Sequence, residues 1–516
     1  MYDRMIVHFG SVQSAHAVLL KTKKRGKNMK KTATLLAALL VAAVPTVSLF
    51  ASCTKDEAKE NENVDGEQNV EQNVDEEKDP LENEFSPNIP AEDVGKFEGK
   101  TFSMLIGSTG QVIYAAEENS QPVNDTVYRR NKNIEDHFGV TLNIVKTGAA
   151  STGTGQGEAT AQFRSLIESG DQTYNAFTHV QHSGMPQMIL ERYFVDWNEI
   201  PYINLEEDWW YQNITNDLCF GDKVYVMTGD YALYIDRIDC LVFNKDIFDD
   251  LGLDYPYEDV LNGTWTWDKF TELVKLGAED LNGDGLMEKE NDQWGLVGWG
   301  YELNPALLVS TGYAPLEKDA DNMPVINQNI ELAHSQYQVV CDLFVDGQFA
   351  FSELSDGSLY RNAFTEGRAM FIDLFLGGVT SLSEVEFNFG ILPYPKWDED
   401  SEYMNRSSNM TALTYIPVTN PDLELTGAVL EEMAFQSAKE LTPLYFDTVL
   451  TVKSTRDVES EAMLPIIKNN ARFLYHTFYP NIIGMGTNNF TSSFQSNLSS
   501  YEAGVEEMRE LLLAED

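Results

Sequence analysis

Oxygen-bearing side chains alternate through Asp280-Leu281-Asn282-Gly283-Asp284-Gly285, and Leu286 follows. Side-chain oxygens at the first, third and fifth positions, a glycine at the sixth and a backbone carbonyl at the seventh make the first half of an EF-hand-like calcium loop. The twelfth position, where a bidentate glutamate usually closes the shell, is Asn291, with Asp292 one residue later and Glu288 earlier. The candidate metal ligands are therefore Asp280, Asn282, Asp284, the Leu286 carbonyl and Asp292. The ion expected is Ca2+ in a structural role, because so saturated a site leaves no position open for substrate. The same residues also suit an acidic loop of Asx turns that holds no metal.

Catalytic chemistry has no comparable seed. With 82 Asp and Glu residues, a carboxylate pair for glycoside hydrolysis can be drawn anywhere and so selects nothing. No GxSxG, HExxH or Walker pattern occurs, and His179 and His182, three apart, have no third ligand nearby. No enzymatic activity is expected. The formal charge of −46 argues against nucleic acid and anionic membrane surfaces, which are bound by Lys/Arg patches.

One cysteine carries a different message. Met29-Lys30-Lys31 precedes an uncharged stretch whose apolar part, residues 33–44, has the length of a signal-peptide core and is broken by Pro45. Leu49-Phe50-Ala51-Ser52-Cys53 then resembles a lipobox, in which the Cys53 thiol is lipidated and the chain is cut before it. Residues 1–52 are thus read as a signal peptide whose true start is Met29; they carry eight Lys/Arg and one acidic residue. Residues 53–99 hold sixteen acidic residues, four lysines and a tandem Glu-Gln-Asn-Val repeat, too few apolar groups to offset ordering entropy, and read as a disordered tether. A lipid anchor on the outer face of the cytoplasmic membrane follows. Of the other cysteines, Cys219 and Cys240 could pair in an oxidising compartment, or simply lie buried as small hydrophobes.

The elements that position these residues begin at Lys100. Residues 101–107 and 140–145 read as strands and 174–180 as a third, separated by amphipathic helices. Asn124 or Asp125 caps the first helix, which turns Val127, Tyr128, Asn131, Ile134 and Phe138 to one face; the second, residues 157–169, turns Phe163, Leu166 and Ile167 inward. Strand–helix–strand repetition implies a mostly parallel sheet, with ligands bound beyond the carboxyl ends of its strands. Gly221-Asp222 is a turn, residues 231–243 read as extended, Asn244 opens a helix and Thr266 caps another. Residues 363–372 and 386–392 pass from helix end to strand, and the C-terminal quarter is helical.

Several ordered stretches together resemble family 1 extracellular solute-binding proteins. They are Asp208-Trp209-Trp210, Gly221–Tyr225, Leu241–Asp246, Trp265–Asp268, Asp280–Gly285 with Asp292-Gln293-Trp294-Gly295, Phe364–Met370, and Gly390–Lys396. The resemblance implies a type II periplasmic-binding-protein-like α/β fold, two hinge-linked lobes around a central ligand cleft. Lobe one would take residues 100–233 and 394–447, and lobe two residues 234–393 and 448–516. It places His179, Gln181 and His182 on a polar ligand loop and lays Asp230, Tyr231, Tyr234 and Asp236 across the hinge facing the cleft. Asp373 and Phe375 fall where relatives present an aromatic platform, and Trp299 offers another. Trp209, Trp210, Trp265 and Trp267 are expected to pack. The implied function is capture of a small polar ligand, a mono- or oligosaccharide favoured, by a monomer that serves the permease subunits of an ABC importer. The alternative is a surface-tethered sensor or adhesion lipoprotein of the same fold.

Overall fold

A computed structural model of the chain describes residues 84–107, 113–147, 156–180, 184–344, 347–354, 358–450, 458–473 and 490–513. The signal segment, Cys53, most of the tether, Gln181 and His182 lie outside the described residues.

Two sheets organise the chain. The first has the order β12-β3-β1-β2, from β1 (Thr101–Ile106), β2 (Thr141–Lys146), β3 (Ala176–Val180) and β12 (Ala412–Tyr415). β1 runs parallel to both β2 and β3, whereas β12 returns antiparallel to β3, Ala412 facing Val180. The helix Pro122–Phe138 starts ahead of the expected caps because Pro122 suits the first helical position, its missing N–H being an orphan there in any case. Asn124 and Asp125 instead tie the preceding loop, to the Glu117 carbonyl and the Asn119 N–H. Val127, Asn131, Ile134 and Phe138 are buried and Tyr128 packs at their edge. The helix Gln156–Glu168 buries Phe163 and Ile167.

The second sheet has the order β10-β4-β9-β5-β8, from β4 (Asp239–Asn244), β5 (Trp294–Trp299), β8 (Ala350–Glu353), β9 (Ala369–Phe375) and β10 (Phe389–Leu392). β5 is parallel to β8 and β9, but β4 is antiparallel to both β9 and β10, so this second sheet is mixed. All six residues of β4 are buried. Its last residue, Asn244, caps the helix Lys245–Leu251 by accepting the Asp246 N–H at 3.0 Å. Thr266 makes no such cap; its backbone bridges to Lys396, while Trp267, Phe270 and Val274 bury one face of the helix Trp267–Leu276. Two short pairs, β6 (Leu316–Lys318) with β7 (Pro324–Ile326) and β11 (Asn405–Arg406) with β13 (Ala471–Arg472), complete the strands.

The chain crosses between the sheets at 229–238 and returns at 393–411. The outgoing crossing was expected to be extended but folds into two 3-10 turns, Asp230–Ala232 and Tyr234–Arg237, joined at Leu233 with φ +47°. The two passages touch where Ile238 bridges Ser407 and the Ser408 N–H donates to the Arg237 carbonyl at 2.8 Å. Cys219 and Cys240 are both buried and do not form a disulfide with each other. Trp210, Trp265 and Trp267 are buried in the core and Trp209 packs against it. Among the described residues no helix is long and apolar enough to cross a membrane.

Candidate ligand-binding site

β5 and β9 are parallel neighbours and end on the same edge of the second sheet, at Trp299 and Phe375. Trp299 keeps 38% of its surface exposed, unusual for so large an apolar ring. The helix Gly300–Ser310 starts directly after it, so Tyr301, 42% exposed, stands edge-on to the Trp299 ring at 5.4 Å. Phe375 is half-buried beneath the Arg237 guanidinium, 4.6 Å above its ring. Arg237 Nε also reaches Asp236 Oδ2 at 3.1 Å, and Asp236 Oδ1 accepts the Tyr445 hydroxyl at 2.9 Å. A side chain at Gly377 would place its Cβ 2.0 Å from that Oδ1, so the close approach requires glycine.

Glu302, one residue past Tyr301, leads into a buried charge cluster. Arg406 Nη1 donates to Glu302 Oε2 at 2.6 Å and to Asp239 Oδ2 at 2.7 Å, and Ser408 Oγ donates to Glu302 Oε2 at 3.3 Å. Arg406 is 2% exposed and Asp239 is fully buried. Arg406 Nε and Nη2 and Asp239 Oδ1 are buried without a hydrogen-bond partner. Asp373 accepts the Tyr394 hydroxyl at 2.5 Å, and desolvation pushes its carboxyl up to about 7. Desolvation likewise raises Asp239, with Arg406 opposing. Two carboxylates, Glu302 and Asp239, therefore share one guanidinium where the returning passage meets the second sheet, with Asp373 held nearby by Tyr394.

The outgoing passage holds a second cluster. Asp230 is buried, its carboxyl raised by desolvation, and Lys468 Nζ stands 3.3 Å from its Oδ1. Tyr234 stacks on Tyr211 at 4.4 Å, with Lys468 5.9 Å from its ring centroid. Tyr231 belongs to the core instead: its hydroxyl donates to Thr414 Oγ1 at 2.5 Å and its carbonyl accepts Arg130 Nη1 at 3.1 Å. His179 is also buried, in β3, with the Phe163 ring 5.6 Å away and Gly107 against it. The structure thus brings together Asp236 with Phe375, Asp230 with Tyr234, and Asp373 with Glu302 below Trp299. His179 and Tyr231 are not part of these clusters.

The calcium-type loop lies at the opposite end of β5 from Trp299. Asp280 Oδ1 and Oδ2 accept the N–H groups of Gly283 and Gly285, each at 2.7 Å, and Asn282 and Asp284 accept those of Asp284 and Leu286. Asp292 closes the loop from within, accepting the Leu281 N–H at 3.0 Å and the Glu288 N–H at 2.6 Å. Among the described residues no three His, Cys, Asp or Glu side chains are grouped to hold a metal ion. The donor set is oxygen-only and of the right chemistry, but Asp292, taken as a ligand, has both oxygens committed to backbone.

Tyr301, Glu302, Arg237, Arg406 and Lys468 were not singled out from the sequence. Tyr301 and Glu302 sit two and three residues beyond Trp299, so adjacency to that ring was an available signal. Arg406 and Lys468 reach their partners across 167 and 238 residues, and no local pattern points to them.

These features define a two-lobed α/β binding protein with aromatic and charged groups at strand ends and at the crossings between sheets. Residues 134–420 match the family model of bacterial extracellular solute-binding proteins, and the chain belongs to that family. A cyclo/maltodextrin-binding protein complexed with maltotetraose shares the fold at 12% identity and TM-score 0.51, over 80% of this chain and 97% of its own. UspC of M. tuberculosis does so at 11% identity and TM-score 0.52, over 78% of this chain and 100% of its own. No curated protein sequence matches the chain.

Proposed function

We propose that the chain captures a mono- or oligosaccharide between its lobes and delivers it to the permease subunits of an ABC importer. The observation that carries this reading is the exposed Trp299–Tyr301 ring pair next to Glu302 and Arg406. A sugar offers an apolar ring face rimmed by hydroxyls, which a ring platform flanked by a carboxylate held in place by a buried guanidinium complements. The maltotetraose complex of the cyclo/maltodextrin-binding protein adds a precedent on the same fold. Lobe one is residues 100–233 with 394–447, lobe two 234–393 with 448–516; β1–β3 and β12 come from the first set and β4, β5 and β8–β10 from the second. Engagement of both lobes by one ligand favours the closed state.

The protein works as a monomer held at the outer face of the cytoplasmic membrane by lipid on Cys53, a reading supported by the basic start, apolar stretch and small residues before that cysteine. The loop at 280–292 takes Ca2+ structurally, supported by its alternating oxygen side chains and by Gly283 and Gly285 at φ +72° and +84°.

A thermal-shift screen of the full chain against sugars, peptides and polyamines tests the ligand class. A micromolar binder at millimolar dose adds about 4 kcal/mol of stability. Stabilisation by peptides with none by sugars overturns the carbohydrate reading. A melting temperature indifferent to chelator removes calcium, and membrane retention of Cys53→Ala removes the anchor.

A further inference from the structure

The segment ahead of β1 is built into the first lobe by two adjacent buried carboxylates. Glu431 and Glu432, both fully buried, lie on the helix Leu423–Gln436 and have no Lys or Arg partner among the described residues. Glu432 Oε2 accepts the Ser86 N–H at 2.9 Å. Glu431 Oε1 accepts the Ser86 hydroxyl at 3.0 Å and the Asn88 amide at 2.7 Å. Around these bonds Glu84 pairs with Lys439, Phe85 stacks on His137 at 3.4 Å, and Tyr202 donates to Asp93 at 2.8 Å.

Glu431 has other donors, and they lead away from the segment. Trp209 Nε1 donates to its Oε1 at 3.0 Å and Trp210 Nε1 to its Oε2 at 2.9 Å. The backbone of the same two tryptophans holds the start of the outgoing passage. The Asp230 N–H donates to the Trp209 carbonyl at 3.0 Å, Trp210 bridges Gly229, and the Tyr211 N–H donates to the Thr228 carbonyl at 3.1 Å. The fit is tight: a Cβ at Gly229 would fall 2.7 Å from the Trp209 carbonyl oxygen. A continuous set of hydrogen bonds therefore runs from Ser86 and Asn88 through Glu431 and the two tryptophans to Gly229 and Asp230.

We propose that residues 84–88 form a clamp coupling the chain that arrives from the N-terminal side to the passage between the lobes. With the clamp engaged, four neutral donors saturate the Glu431 carboxylate. Loss of Ser86 and Asn88 leaves that buried charge with the two indoles alone, an unfavourable state that relaxes by shifting the carboxylate and the tryptophans bonded to it. Asp230 and Tyr234 then lose a fixed support. The consequence for ligand capture rests on the function proposed above; the coupling itself does not.

Hydrogen exchange on the full chain without ligand separates the two. In the double variant Ser86→Ala, Asn88→Ala, amides in 209–234 are expected to exchange at least about tenfold faster, along with those of 84–98. Tyr202→Phe, which loosens the same segment without touching Glu431, is expected to leave 209–234 unchanged. Faster exchange confined to 84–98 in the double variant overturns the coupling. So does equal acceleration of 209–234 in both variants, which marks general loosening, and so does no acceleration anywhere, which removes the clamp.

Discussion

Replacement of Arg406 by Met tests the charge cluster where the returning passage meets the second sheet. The thioether keeps much of the side-chain volume and removes the bonds to Asp239 at 2.7 Å and Glu302 at 2.6 Å. Because Asp239 is fully buried, its charge is left uncompensated, and breaking such a pair costs about 3–5 kcal/mol. The loss should depend on pH with a definite sign. Burial already raises Asp239, and Arg406 opposes that rise. Without the guanidinium the folded-state carboxyls titrate higher still, so the variant's deficit grows as pH rises above the ordinary carboxylate range. Urea unfolding followed by tryptophan fluorescence is expected to show the full loss at pH 7.5 and a clearly smaller one at pH 5. A loss under about 1 kcal/mol at pH 7.5, or one equal at both pH values, would refute the assignment of an ionised buried cluster.

Asp373 and Glu432 are each raised to about 7 by desolvation, so the folded state binds their protons more tightly than the unfolded chain. Their contribution to stability is full below about pH 4 and is lost as pH rises through about 7; Asp373→Asn should therefore flatten the fall in urea midpoint between pH 5.5 and 8, and an unchanged slope counts against the raised carboxyl. Trp299→Ala should weaken binding of the sugar chosen by the thermal screen about three- to tenfold in calorimetry, and an unchanged Kd excludes the ring from the site. Gly377→Ala puts a methyl 2.0 Å from Asp236 Oδ1 and should destabilise the fold by about 1–3 kcal/mol, measured by urea unfolding; a neutral result shows that the Asp236–Tyr445 contact yields freely.

Local physics made much of the chain legible in advance. Apolar periodicity located β1, β2 and β3 to within one or two residues, and short-range hydrogen bonding made Asn244 a cap. Size and apolarity placed Trp210, Trp265 and Trp267 inside. Where the reading departed from the structure, a nonlocal partner decided. Thr266 carried a cap signature, yet its backbone is taken by Lys396, 130 residues on, and its side chain makes no cap bond. The passage at 230–237 has strand-like composition, but with no neighbouring strand to complete a ladder it closes into short-range turns.

The site divides along the same line. Sequence alone determined that the 280–292 loop is rich in oxygen donors, because spacing is local, whereas Trp299 and Phe375 were singled out only as aromatic platforms and the structure shows that they end β5 and β9. Only the tertiary structure decided that Glu302 and Asp239 share Arg406, that Asp230 meets Lys468, and that His179 and Tyr231 face the core. Those outcomes depend on which surfaces two sheets bury against the crossing chain, and burial is a property of the assembled lobes that no window of neighbouring residues contains.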